Sequence, residues 1–88
     1  MARFEMASPE MAAAGQDASG DVLFQLGMMY ATGRDVDYDL IAAHKWFNLA
    51  VQRGKSEAAQ YRQEIALELS HAEVAEAQRA AREWMRLH

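Results

Sequence analysis

Three aspartates close together are the side chains that first suggest chemistry. Asp35, Asp37 and Asp39 alternate with other residues, and closely spaced carboxylates bind Ca²⁺ in helix–loop–helix proteins. A calcium loop beginning at Asp35 would need glycine at its sixth position and a carboxylate at its twelfth. Those positions hold Leu40 and Trp46. We therefore interpret the aspartates as helix caps within a solvated acidic loop.

Histidine, cysteine and serine form no catalytic or metal-binding pattern. His44, His71 and His88 are far apart, and no two have the four-residue spacing of a helical metal site. Cysteine is absent, which excludes thiolate nucleophiles and cysteine-bound zinc. The sequence also lacks a glycine-rich phosphate loop and a serine–histidine–aspartate arrangement. We expect no enzyme activity, no cofactor and no metal, and a partly exposed, hydrogen-bonded His44.

The charge of the chain is acidic and unevenly distributed. The formal net charge of −4 argues against a non-specific nucleic-acid binder, since affinity for phosphates comes from clustered Lys and Arg. Residues 1–52 hold seven acids and three bases, whereas residues 53–88 hold six of each, so a basic partner would meet the first half. No apolar run could span a bilayer, and the start of the chain lacks a secretory signal. We expect a cytoplasmic protein without membrane insertion.

The elements that position these side chains are predicted to be helices preceded by a leader. Residues 1–19 contain the single proline and no apolar periodicity, which predicts a flexible leader. The first helix follows, with Ser19 or Asp21 as its cap and Gly33 at its end. Gly27 lies in the apolar stripe of this helix, where glycine costs about 1 kcal/mol relative to alanine. We expect the close approach of a neighbouring helix to compensate.

The second helix is predicted to follow the acidic loop. It begins near Asp37 or Asp39, either of which can accept hydrogen bonds from free helix amides, and it stops at Gly54. Its predicted core face is flanked by Trp46 and consists of Leu40, Ala43, Phe47, Ala50 and Val51.

Two further helices are predicted in the remaining residues. The third covers about 56–69 and the fourth about 71–87, with a capping box formed by Ser70 and Glu73 between them. The fold class is therefore all-α, with two antiparallel helix–turn–helix hairpins stacked as a short α/α solenoid. The predicted organisation is a leader at 1–19, a first hairpin at 20–54 and a capping hairpin at 55–88.

The first hairpin resembles one repeat of the Sel-one-like family, a helical-repeat relative of the tetratricopeptide proteins. The family pattern has a Leu-Gly pair, a Tyr, a Gly, a loop Val, then Asp, Ala, Trp, a small pair and a closing Gly. The matching residues are Leu26, Gly27, Tyr30, Gly33, Val36, Asp39, Ala43, Trp46, Ala50, Val51 and Gly54. Asp35 stands where the family usually has a second loop glycine, and Val51 replaces the usual second Ala.

The resemblance implies a scaffolding function. Only one full repeat is present, whereas about three normally build a continuous core, so we expect an apolar surface on the N-terminal side of the first hairpin. We predict a non-enzymatic protein–protein interaction module that acts as an adaptor, accessory or regulatory subunit of another protein. The alternative is a structural homodimer that stacks its open repeat ends. For Trp46 packing is the first interpretation, and the candidate partner-binding residues are Met28, Asp35, Asp37, Tyr38 and Trp46.

Overall fold

The computed structural model describes residues 18–88, and this part of the chain is all-α, as predicted. It contains four α-helices and no strand. The helices are α1 (Gly20–Thr32), α2 (Leu40–Gln52), α3 (Ala58–Ala66) and α4 (His71–Leu87). The predicted leader, apart from its last two residues, lies outside the described residues.

Helix α1 begins and ends where its capping residues predict. The Ser19 hydroxyl accepts a hydrogen bond from the Val22 amide at 3.2 Å, so Ser19 rather than Asp21 is the cap. At the other end Gly33 has a φ of 74°, and its amide donates to the Met29 carbonyl at 2.8 Å.

The two residues before α1 are anchored to the helical unit. Ala18 is buried, and its carbonyl accepts a hydrogen bond from Nη1 of Arg53 at 2.8 Å. Arg53 follows the last residue of α2. The start of the described chain is therefore tied to the far end of the second helix.

Helix α2 is also capped at both ends. The Asp39 carboxylate accepts a hydrogen bond from the Ala42 amide at 3.0 Å. Beyond the last turn Gly54 has a φ of 92°, and the amide of Lys55 donates to the Ala50 carbonyl at 2.9 Å. This six-residue bond across a left-handed glycine is the Schellman arrangement, which satisfies carbonyls that the helix leaves free.

Helix α3 is shorter than predicted, whereas α4 begins as predicted. No side chain caps the start of α3, and turns replace helix on both sides of Ala58–Ala66. At the start of α4, the Glu73 amide donates to the Ser70 hydroxyl at 3.1 Å and the Glu73 carboxylate accepts from the Ser70 amide at 2.8 Å. The predicted capping box is thus present.

The helices are arranged around α2, which packs against all three others. Helices α3 and α4 contact each other much less than either contacts α2. Ring contacts join alternate helices: Phe24 of α1 meets Tyr61 of α3 edge-on at 5.4 Å between centroids, and Trp46 of α2 meets Trp84 of α4 at 5.7 Å.

The buried face of α2 is wider than the sequence predicts. Leu40 and Val51 of the predicted core face are only half-buried. Packing on three sides instead buries residues all around the helix. The buried residues are Ala43, His44, Trp46, Phe47, Leu49 and Ala50.

Helix α2 approaches α1 closely at Gly27, as predicted. A Cβ atom on Gly27 would lie 2.5 Å from two ring atoms of Phe47. The Phe47 ring is fully buried, with its centroid 5.7 Å from that of Phe24 and 5.5 Å from that of Tyr61. The Phe47 ring therefore occupies space that a side chain at residue 27 would fill.

Substituting Gly27 by alanine should destabilise the fold. The new methyl would overlap the Phe47 ring. Overpacking costs about 1–3 kcal/mol of stability, and the better helix propensity of alanine offsets about 1 kcal/mol of that cost. We expect the midpoint of thermal unfolding to fall by about 4–8 °C per kcal/mol lost. Gln25→Ala, at an exposed position of α1, is the control and should change the free energy of unfolding by less than about 0.5 kcal/mol.

A double mutant identifies the cause. Phe47→Leu removes the ring that the methyl would strike, so Gly27→Ala should cost less in that background than in the parent chain. Equal costs in the two backgrounds would contradict the proposed overlap.

Candidate functional site

The predicted partner-binding residues occupy different environments. Tyr38 is 62% exposed, and Asp35 and Asp37 are exposed in the same α1–α2 loop. Met28 is half-buried and packs against the core from α1. Trp46 is fully buried. The loop residues are therefore the part of the predicted site that lies on the surface together.

The candidate role of Trp46 in partner binding is wrong for this fold. Its exposure is 0% because Trp84 of α4 covers the ring edge-to-face. The Lys45 ammonium lies 4.2 Å from the Trp46 ring centroid, within the range of a cation–π contact. Because Trp46 and Phe47 are adjacent on the helix, their rings point in different directions. Both rings are nevertheless buried, because α2 is covered on several sides. Trp46 is a packing residue.

Tyr38 lies at the edge of an open groove of about 320 Å³, which we call the Tyr38 groove. The groove lies where the starts of α2 and α4 come together, beside the connection between α3 and α4. A cavity of about 150 Å³ already accommodates benzene, so one apolar side chain fits in this space. The lining residues are Tyr38, Asp39, Leu40, Ile41, Glu68, Leu69 and Glu73.

The Tyr38 groove combines apolar walls with carboxylates. Leu40, Ile41 and Leu69 are each half-buried, so part of their apolar surface remains in solvent. Three of the lining residues are acidic, and none of the described lining residues is basic. Leu67, next to Glu68 in the chain, is 84% exposed. The groove therefore presents apolar and acidic side chains next to one another.

Sequence reasoning found Tyr38 and the acidic loop but missed the other groove residues. The sequence did contain a signal for two of these residues. Leu40 and Ile41 are adjacent on a helix, so they point about 100° apart and cannot both lie at the centre of one core stripe. Leu69 and Glu68 carry no such signal, because only the tertiary fold brings the α3–α4 connection beside the start of α2.

Asp35 adopts an unusual backbone conformation. Its φ is 67°, in the left-handed region, and it is the only described residue other than glycine with a positive φ. Asp and Asn tolerate this region better than other residues with a side chain, and glycine favours it most. Asp35 therefore has a conformational role in the α1–α2 loop, independent of any partner.

His44 is buried, not partly exposed as predicted. Only 3% of its surface is exposed, and its Nδ1 has no hydrogen-bond partner within residues 18–88. Burial lowers the pKa of His44, and the Arg62 guanidinium lowers it further. Arg62 donates a hydrogen bond to the Asn48 side chain at 2.7 Å, which holds the guanidinium between α2 and α3. Neutral imidazole is the form that this packing favours.

Charged residues elsewhere on the surface form local pairs. Lys55 contacts Asp21 at 2.7 Å and Glu57 at 3.3 Å, and the hydrogen bonds that its ammonium donates to Asp21, which has the larger effect, and to Glu57 raise the pKa of Lys55. On α4, Arg86 pairs with Glu83 in a cluster that also includes Arg79 and Arg82. Neither group lies in the Tyr38 groove.

The structure and the comparisons with known proteins assign no chemistry to these residues. Within residues 18–88, no three His, Asp or Glu side chains are grouped to hold a metal ion. None of the four described helices has the length and apolarity needed to cross a membrane. No protein-family model, curated protein or solved structure matches the chain.

The backbone role of Asp35 can be tested by substitution. Asp35→Val should destabilise the fold by about 1–2 kcal/mol, because a β-branched side chain is strained at positive φ. The free energy of unfolding of Asp35→Gly should stay within about 1 kcal/mol of that of the parent chain. Glycine removes the backbone strain at φ 67°, which offsets the greater conformational freedom that it gives the unfolded chain. Asp37→Val is the matched control, because Asp37 does not have a positive φ. Urea unfolding measures all three, and equal effects of the two valine variants would contradict the assignment.

Burial of His44 predicts a loss of stability in mild acid. Its pKa is lowered in the fold, whereas in the unfolded chain it is about 6.5. The unfolded chain therefore binds the proton first, so this contribution to stability falls as the pH drops below about 6.5, and it levels off below the folded pKa. Urea unfolding between about pH 7 and pH 5 measures how the free energy of unfolding falls with pH. His44→Gln should make that fall smaller, whereas the exposed-site variant His71→Gln should not.

A direct titration completes this test. Proton NMR of the His44 ring in the folded chain should give a midpoint below about 6.5. A midpoint at or above that value would contradict the effect of burial.

Proposed function

We propose that this chain is a non-enzymatic protein–protein interaction module of the Sel-one-like type, acting as a small adaptor, accessory or regulatory subunit. The proposal combines the resemblance of the first hairpin to that repeat family with the surface properties of the Tyr38 groove.

The resemblance is supported by the structural roles of the residues that carry it. Gly27 admits the Phe47 ring, Gly33 ends α1 at positive φ, and Asp39 caps α2. Asp35, which replaces the second loop glycine of the family pattern, also has a positive φ. The family pattern places glycine at this position, which agrees with a backbone conformation that favours glycine.

The observation that carries the interaction function is the exposed apolar surface of the Tyr38 groove. Exposed apolar patches with a polar border are typical of protein interaction sites, and Tyr is enriched among residues that dominate binding energy. Two of the groove carboxylates, those of Asp39 and Glu73, are occupied as helix caps. The imidazole of His44 is buried and therefore inaccessible to a substrate in the groove. Binding fits these features better than acid–base catalysis.

Tyr38→Ala should weaken the interaction with a native partner. We expect a loss of about 1–2 kcal/mol, or roughly 5- to 30-fold in Kd, if the ring is buried at the interface. The partner is first identified by affinity capture with the full chain from its own cells, then purified and titrated calorimetrically. Leu87→Ala is the control, because Leu87 is 65% exposed, close to the exposure of Tyr38, but lies at the end of α4.

Two results would contradict the proposal. One is equal partner affinity for the parent chain and Tyr38→Ala. The other is light scattering in which the chain, of 9.9 kDa, is a stable dimer that Tyr38→Ala leaves intact and no other protein is captured. That second result would support the structural homodimer instead.

A further inference from the structure

We infer that the Tyr38 groove binds a cationic amphipathic segment of a partner protein, one that places an apolar side chain between Lys or Arg residues. This inference rests on the proposed interaction function and specifies the chemistry of the partner. It is argued from the shape, the charge and the fixed geometry of the groove.

The shape of the groove suits one inserted apolar side chain. Tyr38 stands at one side, and the half-buried Leu40, Ile41 and Leu69 supply apolar walls. Two hydrogen bonds of Asp39 hold the loop beside Tyr38: its carboxylate caps α2, and its backbone amide donates to the Tyr30 carbonyl at 3.0 Å, which closes the α1–α2 loop. A site whose backbone is already ordered binds a partner without the cost of ordering it.

The charge of the groove selects a cationic partner. The lining carboxylates of Asp39, Glu68 and Glu73 contribute three negative charges. The positive ends of α2 and α4 also lie here, and each contributes roughly half a positive charge. The sum is about two negative charges, and the exposed Arg34, Asp35 and Asp37 of the adjoining loop together add about one more.

The same charge disfavours two other occupants. An anionic ligand would be repelled by the carboxylates, even though two helix starts are present. A second copy that bound with its own Tyr38 groove would place two acidic borders face to face, because a two-fold symmetric contact joins identical surfaces. Like charges brought together in this way oppose association.

Synthetic peptides of equal length serve as the probes. The first carries leucine at helical spacing with lysine at the other positions; the second has glutamate in place of lysine, and the third has serine in place of leucine. Fluorescence anisotropy with the full chain should show the lysine–leucine peptide binding at least about tenfold more tightly than either of the others. Raising the salt to about 0.3 M should weaken that binding.

Paired charge reversals test whether the groove is responsible. Glu68→Lys and Glu57→Lys change the net charge equally, but only Glu68 lines the groove, whereas Glu57 pairs with Lys55 beyond the other end of α2. Glu68→Lys should weaken binding of the lysine–leucine peptide by at least about tenfold, and Glu57→Lys should weaken it by less than about twofold. Circular dichroism confirms that both variants remain helical.

The possible contrary outcomes are distinct. Equal loss in the two charge reversals, or equal binding of the lysine and glutamate peptides, would overturn the inference. So would a dimer, detected by sedimentation, that Glu68→Lys dissociates, since a second copy would then be the occupant. If a native partner depends on Tyr38 while the peptides show no charge preference, the interaction function stands and this inference fails. If that partner ignores Tyr38, the proposed function fails at its own test.

Discussion

The contact between Gly27 and Phe47 is the constraint on which the rest of the structure depends. Because Gly27 has no side chain, the Phe47 ring of α2 fits against the backbone of α1. The same ring meets Phe24 of α1 and stacks on Tyr61 of α3. One aromatic side chain thus fixes the separation of the first two helices and the position of the third. In a chain of 88 residues, which buries little core, a few such contacts carry much of the stability.

The central position of α2 leaves little of that helix on the surface. Its second large ring, Trp46, is covered by Trp84, and His44 is also buried. The Trp46 indole nitrogen and His44 Nδ1 find no hydrogen-bond partner within residues 18–88, which is a cost of burying polar atoms. A helix covered on three sides offers little surface to a partner. The start of α2 is accessible in the Tyr38 groove, where we propose that a partner binds.

Sequence reasoning succeeded where structure is local. The all-α class, the Ser70–Glu73 capping box and the left-handed Gly33 all depend on neighbours a few residues away, and the fold contains them. It failed where burial depends on distant segments. Packing on several sides buries His44, which was predicted to be partly exposed, whereas the burial of Trp46 agrees with its first interpretation as a packing residue. The groove was found only in part, since Tyr38 and Glu68 meet through tertiary structure.

The carboxylates of the Tyr38 groove connect folding with recognition. Asp39 and Glu73 accept hydrogen bonds that begin α2 and α4, and their charges also border the groove. A substitution at either position therefore removes a cap worth about 1 kcal/mol together with a charge at the proposed binding site. Glu68 caps no helix, and its charge can change without breaking a helix start. The acidic character of the groove is thus partly a consequence of how its helices begin, and Glu68 is the position at which recognition separates from folding.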